Sequence, residues 1–266
     1  MPPAKKRTRS YDPARTRAAV LAQFEHVRQA VGSLAPAQFD LPTRLGDWTV
    51  RELAAHIAMT IGSISRSLAL PEPAAQEVTL LDYPFATVRF AGQVDEGVKE
   101  IAAASTLAET VELYARTVAR LRELLPAVPD DRLLASRLGA MRFGDFLVTR
   151  TVELIVHTDD LNDAAGLSIP YDRQALAACT RLLADALAVK APGASTEVRV
   201  PPFAVVQCVE GPRHTRGTPP NVVETDPLTW IRLATGRTQW SEAVEAAKVS
   251  ASGERADLSG LLPILG

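Results

Sequence analysis

The stretch TVELIVHTDDLNDAAG, residues Thr151 to Gly166, decides the fold of this chain. Its pattern predicts a helix, and at about 100° per residue Glu153, His157 and Asp160 fall within one narrow stripe. Apolar residues flank that stripe on both sides: Val152, Leu154, Val156 and Leu161. Burying a carboxylate and an imidazole among apolar residues is costly unless they are paired or bind a metal. The helix therefore requires a partner from elsewhere in the chain.

Length and composition set the class of protein. The chain has 266 residues and a net charge of -2, which allows two domains and gives no electrostatic reason to expect nucleic acid or an anionic membrane as a partner. No apolar run approaches the roughly 20 residues that span a bilayer. The first ten residues are basic and lack an apolar signal core, so they predict a disordered tail. Two isolated cysteines are typical of a reducing cytoplasm, the location we expect.

Several helices are marked by their start signals. Asp12 followed by proline predicts an N-cap. Thr49 with Glu52, and Thr106 with Glu109, form the capping-box pattern at the starts of two further helices. Gly166 suits the left-handed position that ends the stripe-bearing helix. Between these helices, the prolines of PEPAAQEVTLLDYP predict a loop, PAVPDDRLL a turn, and LGAMRFGD a lead into the stripe-bearing helix.

His56 is the candidate partner for the charged stripe. It lies at the margin of the apolar face of its predicted helix, beside small hydroxyl residues: Thr60, Ser63 and Ser67. A histidine that simply sits at the edge of the core explains this placement as well. Together with Glu153 and His157, however, His56 completes two nitrogen ligands and one oxygen ligand. That set suits zinc and leaves a coordination position open for water or substrate.

The composition changes at Pro192-Gly193-Ala194-Ser195, where helical patterns give way to strand patterns. We therefore predict an α+β protein of two domains: a helical bundle over residues 11–190 and a small α/β domain over 195–266. The boundary is expected between Ala188 and Glu197. A cleft between the two domains is the expected place for the active site.

Two stretches, DWTVRELAAHI and VELIVHTDDL, resemble the signature segments of the mycothiol-dependent maleylpyruvate isomerase family. That family begins with a DinB-like metal-binding four-helix bundle. The resemblance implies that His56, Glu153 and His157 are the metal ligands and that Asp160 orients a ligating histidine. Residues from about 195 onwards resemble the sterol-carrier-protein-like domain that follows the bundle. The family places an important arginine there, for which Arg237 is our candidate. Three loop residues are further candidates: Arg213, His214 and Arg216.

The resemblance implies a divalent metal, zinc foremost, and mycothiol as cofactors. Metal coordination would lower the pKa of the thiol, and the thiolate would attack a small electrophile, with a dicarboxylic acid as one option. The reaction would be an isomerisation or a thiol transfer, with the thiol and the electrophile as its partners and no membrane insertion. The sequence leaves the oligomeric state open, with a monomer as one option. The alternative is a binding protein of the sterol-carrier type that holds a lipid or small ligand and keeps only a structural or vestigial metal. An exposed solubilising charge is the alternative role for Arg237.

Overall fold

A computed structural model describes residues 9–211 and 220–265 of the chain. Ten α-helices occur in the described ranges: α1 Pro13–Gly32, α2 Pro36–Phe39, α3 Val50–Leu68, α4 Tyr83–Ala86, α5 Ala91–Ala103, α6 Leu107–Leu124, α7 Phe143–Ala165, α8 Arg173–Lys190, α9 Pro227–Ala234 and α10 Trp240–Glu245. The strands in the same ranges are β1 Leu133–Ser136, β2 Gly139–Arg142, β3 Thr196–Val200, β4 Ala204–Cys208, β5 Val222–Thr225 and β6 Val249–Ser252.

Four long helices form the bundle. Helix α1 packs on α6 and α7, and α3 packs on the same two, so the four helices close a ring around a common core. Phe24 of α1 stacks on Tyr114 of α6, with ring centroids 5.1 Å apart. Helix α5 packs against the outer side of α3. The predicted bundle is thus confirmed, and α3 and α7 are neighbours in it.

The predicted helix ends are confirmed at the residues that mark them. The side chain of Asp12 accepts a hydrogen bond from Arg15 N, and the Thr49 and Thr106 capping boxes are both present. Gly166 ends α7 with φ 63°, a left-handed conformation that glycine adopts without strain. Because these signals are local, the sequence is sufficient to locate them.

The segment before α7 differs from the prediction. Instead of a turn and a plain lead-in, β1 and β2 form an antiparallel hairpin, and α7 begins at Phe143. The segment around Glu77 stabilises the hairpin, because Glu77 N and Val78 N both donate to the carbonyl of Ala140. Strands of four residues are too short for a clear alternation of apolar and polar positions, so the sequence pattern does not predict this hairpin. The hairpin brings Arg137 to one end of the bundle.

The C-terminal part contains a four-stranded sheet in the order β4-β3-β5-β6. Strand β3 pairs antiparallel with β4 and parallel with β5, and β5 pairs antiparallel with β6. Helix α9 follows β5, with Asp226 as its N-cap. Helix α8 packs on α1 and α7 on one side and on β4 and α9 on the other. It therefore lies between the bundle and the sheet, and the α+β fold class is confirmed.

The boundary expected between residues 188 and 197 stays a prediction. The linker there is hydrogen-bonded to the end of β4, since Val209 N donates to Ala191 O and Ser195 N donates to Val209 O. Only residues 9 and 10 of the predicted N-terminal tail are described, and Arg9 pairs with Asp185 of α8 at 2.8 Å. None of the described helices combines the length and apolar character needed to cross a membrane.

Candidate metal centre

The structure brings His56, Glu153 and His157 together between α3 and α7. His56 Nε2 and His157 Nε2 each lie 3.3 Å from Glu153 Oε2. One possible ligand atom from each residue lies within 4.8 Å of the other two. The two imidazole rings meet edge to face, with centroids 4.6 Å apart. The three groups expected to share a site thus converge on one point.

Further hydrogen bonds hold two of these groups, Glu153 and His157, in place. Tyr83 OH donates to Glu153 Oε1 at 2.7 Å, and His157 Nδ1 lies 2.9 Å from Asp160 Oδ2. The contact with Asp160 fixes the orientation of the His157 ring and leaves its Nε2 facing His56 and Glu153. His56 Nδ1 is buried and has no hydrogen-bond partner among the described residues.

Burial and neighbouring charges shift the pKa of each group. Burial lowers the pKa of His56, and the nearby His157 and Arg150 lower it further. Burial also lowers the pKa of His157, but the hydrogen bonds of this residue with Asp160 and Glu153 have the larger effect, so that its pKa is raised. Burial raises the pKa of Glu153, yet contacts with the two histidines outweigh it and hold that pKa well below its usual range. The carboxylate is therefore ionised, as a metal ligand must be.

Asp160 lies at the centre of a network of charges. Its pKa is raised by burial, but His157 and Arg237 outweigh this and hold it well below its usual range. Arg44 Nε donates to Asp160 Oδ1 at 2.7 Å, and Arg237 Nη2 donates to Asp160 Oδ2 at 3.0 Å. The neighbouring Asp159 accepts hydrogen bonds from Arg44, from Tyr171 and, through two nitrogens at 2.6 and 2.9 Å, from Arg232. Charged groups from both parts of the chain thus meet directly behind His157.

A cavity of about 950 Å³ opens beside the three groups. Helices α3, α5 and α7 and the β1–β2 turn form its walls, together with residues of the C-terminal part: Thr235, Arg237, Pro263 and Leu265. Trp48 lines it too, with its ring 5.2 Å from the ring of His56 and its Nε1 donating to Asp95. The cavity therefore lies between the two parts of the chain, where the cleft was expected.

The residues present fit a divalent metal. Two imidazole nitrogens and one carboxylate oxygen converge, and this donor set is typical of zinc sites that leave a position open. His157 has the orienting carboxylate that ligating histidines usually have. Among the described residues, no other group of three or more histidine, cysteine or acidic side chains converges in this way.

Four residues that support the site were not predicted: Trp48, Tyr83, Arg44 and Arg232. Tyr83 lies in the segment expected to be a simple loop, 70 positions from its partner Glu153. Nothing local in the sequence indicates such a contact. Arg213, His214 and Arg216 lie outside the described residues.

A helical bundle with a two-histidine, one-carboxylate cluster, followed by a small mixed sheet, defines the class of protein. Residues 20–162, more than half of the chain, match the family described as "Mycothiol maleylpyruvate isomerase N-terminal domain". The chain belongs to this family. Residues 172–264 match a second family, described as "Bacterial SCP ortholog". Helix α8 falls within the segment that the second family matches.

Solved structures agree on the fold. The structure described as "Crystal structure of the mycothiol-dependent maleylpyruvate isomerase" matches with a TM-score of 0.62 at 14% identity, over 93% of this chain and 95% of that chain. A mutant of that enzyme in which one histidine is replaced by alanine matches with the same TM-score at 13% identity, over the same shares of the two chains. No curated protein sequence matches the chain. At these identities the likeness establishes the shared fold.

Proposed function

We propose that the protein is a metal-dependent, mycothiol-dependent isomerase or thiol transferase that acts on a small electrophile. One observation carries the proposal: three potential ligand atoms converge at the wall of a cavity of about 950 Å³ that both parts of the chain line. A family named for a mycothiol-dependent isomerase matches the part of the chain that holds these atoms. The cavity is large enough for a thiol and a second small molecule.

In this proposal His56, Glu153 and His157 hold the metal, with zinc as the expected ion. A bound divalent metal would lower the pKa of a coordinated thiol and so supply a thiolate at neutral pH. Asp160 keeps the proton of His157 on Nδ1, so that Nε2 is free to act as a ligand. Tyr83 binds the second carboxylate oxygen of Glu153 and fixes the direction of the first.

The cavity itself controls the surroundings of the reacting molecules. Apolar side chains form much of its wall, including Met59, Phe90, Val94 and Met141, and they keep water away from a thiolate and an electrophile. Arg237 faces the same cavity from the C-terminal part. We propose that its guanidinium contacts a carboxylate of the substrate, while its other nitrogens keep Asp160 in place.

Metal analysis of the purified protein, followed by titration with mycothiol, tests the proposal. We expect about one divalent ion per chain and turnover of an electrophile that depends on the thiol. His56→Ala and His157→Ala should each lose both the ion and the turnover. His26→Ala is the matched control, because His26 lies outside this site, where its imidazole contacts the carbonyl of Pro170.

Two results would count against the proposal. The first is a protein that carries no metal and shows no thiol-dependent turnover. The second is a lipid that copurifies with the protein and is retained by both histidine variants. The second result would favour the sterol-carrier type of binding protein, whose metal is structural or vestigial.

A further inference from the structure

Residues 83–105 form an arm that covers one side of the cavity. The arm comprises α4, the turn Thr87–Phe90 and α5. Its inner side lines the cavity through six residues: Tyr83, Thr87, Phe90, Ala91, Val94 and Asp95. The other walls come from α3, α7, the β1–β2 turn and the C-terminal part. Displacement of the arm alone would therefore open this side of the cavity.

The two ends of the arm are anchored to the bundle. At the first end, Tyr83 is fully buried and its hydroxyl donates to Glu153. At the second end, Arg51 Nη1 donates to the carbonyl of Ser105 at 2.9 Å, and the Thr106 capping box then begins α6. A segment that is held at both ends moves as a flap and keeps its connections to the bundle.

The contact surface of α5 on the bundle is small. The buried residues of this 13-residue helix are Val98 and Ala102. Together with Ala55 of α3 they form an apolar cluster that is separate from the main core, and we call this cluster the seat of α5. Segments with few buried apolar contacts open at a lower free energy than the core of a domain. Helix α5 is therefore expected to leave its seat without unfolding of the bundle.

Two glycines weaken α5 itself. Gly92 and Gly97 lie within the helix, and a Cβ added at either position would meet no neighbouring atom within 4 Å. Packing therefore does not require glycine there. Glycine inside a helix is destabilising relative to alanine, because it loses more backbone freedom on folding. The sequence thus lowers the stability of α5 at two places where the structure does not demand it.

Four polar side chains hold the middle of the arm in place, and we call them the latch: Asp47, Trp48, Asp95 and Lys99. Trp48 Nε1 donates to Asp95 Oδ1 at 2.7 Å, and Lys99 Nζ lies 2.8 Å from Asp47 Oδ2 and 3.0 Å from Asp95 Oδ2. The side chains of Asp47, Asp95 and Lys99 are 73%, 39% and 44% exposed. Because ion pairs as exposed as these contribute little stability, the latch can break and re-form.

Trp48 connects the latch to the proposed metal centre. Its indole nitrogen binds Asp95 of the arm, while its ring lies 5.2 Å from the ring of His56. Since one side chain makes both contacts, release of the latch removes a restraint on the ring that packs beside His56. The position of the arm is thus coupled to the surroundings of His56.

We infer that residues 83–105 form a lid that opens and closes over the cavity while the bundle stays folded. Release of the latch lets α5 unwind at its two glycines and leave its seat, with Tyr83 and Ser105 as the fixed ends. The open state admits ligands from solvent, and the closed state excludes water from this side of the cavity. The movement does not depend on which reaction takes place in the cavity.

Thiol labelling of a Val98→Cys variant tests the lid. Val98 is fully buried in the seat, so a chromogenic disulfide reagent reaches a thiol at position 98 only when α5 lifts. The native Cys179 and Cys208 are fully buried in the main core and report unfolding of the rest of the chain. We expect the thiol at position 98 to react ~10–100-fold faster than either native cysteine.

Further substitutions in this background give opposite predictions for the latch and the glycines. Asp95→Ala should speed the labelling ~3–10-fold although alanine is the better helix former, because two latch contacts are lost. Glu96→Ala is the matched control, since Glu96 is exposed on the same helix and forms no hydrogen bond or ion pair with any described residue. The Gly92→Ala/Gly97→Ala double variant should slow the labelling ~5–30-fold. Gly260→Ala, at a position with similar space outside the arm, should leave it unchanged.

Hydrogen exchange in the unmodified protein provides a second measurement that needs no substitution. The backbone amides in the middle of α5 should exchange ~10–100-fold faster than those in the middle of α3. Equal protection of the two helices would overturn the inference.

Two labelling results would also overturn it. If the thiol at position 98 reacts no faster than Cys179, it is reached only by global unfolding. If Asp95→Ala and Glu96→Ala react at equal rates, the latch does not control the movement. Circular dichroism and thermal unfolding check that each variant keeps the fold. Thiol-dependent turnover is measured separately, so a failure of the proposed function and a failure of the lid are distinguishable.

Discussion

Asp160 connects the proposed metal centre to the rest of the molecule. It is completely buried, and it accepts hydrogen bonds from His157, Arg44 and Arg237 at the same time. A buried carboxylate is tolerated only when its charge is matched in this way. The cations around it therefore have two effects, since they stabilise the buried charge and fix the imidazole that faces Glu153.

Arg237 and Arg44 allow these effects to be separated. Both donate to Asp160, but only Arg237 lines the cavity. If Arg237 binds a substrate carboxylate, Arg237→Ala should lower kcat/KM by one to three orders of magnitude, about 1.4–4 kcal/mol. Arg44→Ala should lower it far less. Metal affinity, measured by competition with a chelator, should fall by a similar small factor in both variants, because each removes one guanidinium from Asp160.

A different result would contradict a contact between Arg237 and the substrate. Equal losses of kcat/KM in Arg237→Ala and Arg44→Ala, each in proportion to the loss of metal, would show that Arg237 acts only by holding Asp160. Arg237 would then be a positioning residue.

At the scale of single residues, the sequence predicts part of the proposed metal centre. Glu153 and His157 could be predicted because both lie on one helix, where spacing determines which side chains share a face. His56 required both its placement beside small residues and the family resemblance. Tyr83 and Arg44 could not be predicted, since each is brought to the site by contacts with residues 70 or more positions away.

The helices and strands differ in how well local sequence signals predict where they begin and end. Helices α1, α3 and α6 begin at the predicted caps, because each cap depends only on residues within one turn. The β1–β2 hairpin was missed, because its strands are stabilised by contacts with a distant segment around Glu77. Arg137 of the turn in this hairpin lines the cavity, so a sequence that does not predict the hairpin also does not predict this lining residue.

The start of α9 provides a test at the level of one element. Asp226 accepts hydrogen bonds from Leu228 N and Thr229 N, so Asp226→Ala should reduce the free energy of unfolding by about 1 kcal/mol. Asp226→Asn keeps a capping oxygen and is the matched control. Urea unfolding at pH 7 measures both differences, and an alanine variant as stable as the asparagine variant would contradict the prediction.

The same cap should depend on pH in a defined direction. Burial raises the pKa of Asp226, but hydrogen bonds from Thr229 and Leu228 outweigh burial and lower the pKa below its ordinary value. A group whose pKa is lowered by folding contributes stability above its unfolded pKa, near 3.9, and loses that contribution as the pH falls through the folded value. Aspartate at position 226 should therefore give a higher free energy of unfolding than asparagine at pH 7, and this advantage should shrink below about pH 4. An advantage that stays constant down to about pH 2 would contradict this assignment.

At the scale of the whole molecule, α8 and a set of ion pairs join the bundle to the sheet. Helix α8 contacts both parts, and the matched families meet between residues 162 and 172, before α8 begins. Arg232 of α9 crosses to Asp159 of α7, and Arg237 crosses to Asp160. The position of the C-terminal part is thus coupled to the charges behind His157, which explains how a domain without metal ligands can affect the proposed metal centre.

The pair formed by Arg232 and Asp159 tests this coupling. Two nitrogens of Arg232 bind a carboxylate that is almost fully buried, whereas Arg44 and Tyr171 remain as its other partners. Arg232→Gln should therefore weaken the docking of the two parts by about 1–3 kcal/mol without unfolding either part.

Limited proteolysis measures the consequence for the boundary expected between residues 188 and 197. Cleavage there requires the linker to separate from Val209, to which it is hydrogen-bonded at Ala191 and Ser195. Weaker docking makes that separation more frequent, so Arg232→Gln should be cut in this segment faster than the unmodified protein. Arg199→Gln is the matched control, because Arg199 pairs with Glu197 within the same strand. Equal cleavage rates for all three proteins, or first cleavage elsewhere, would show that this ion pair does not control the docking.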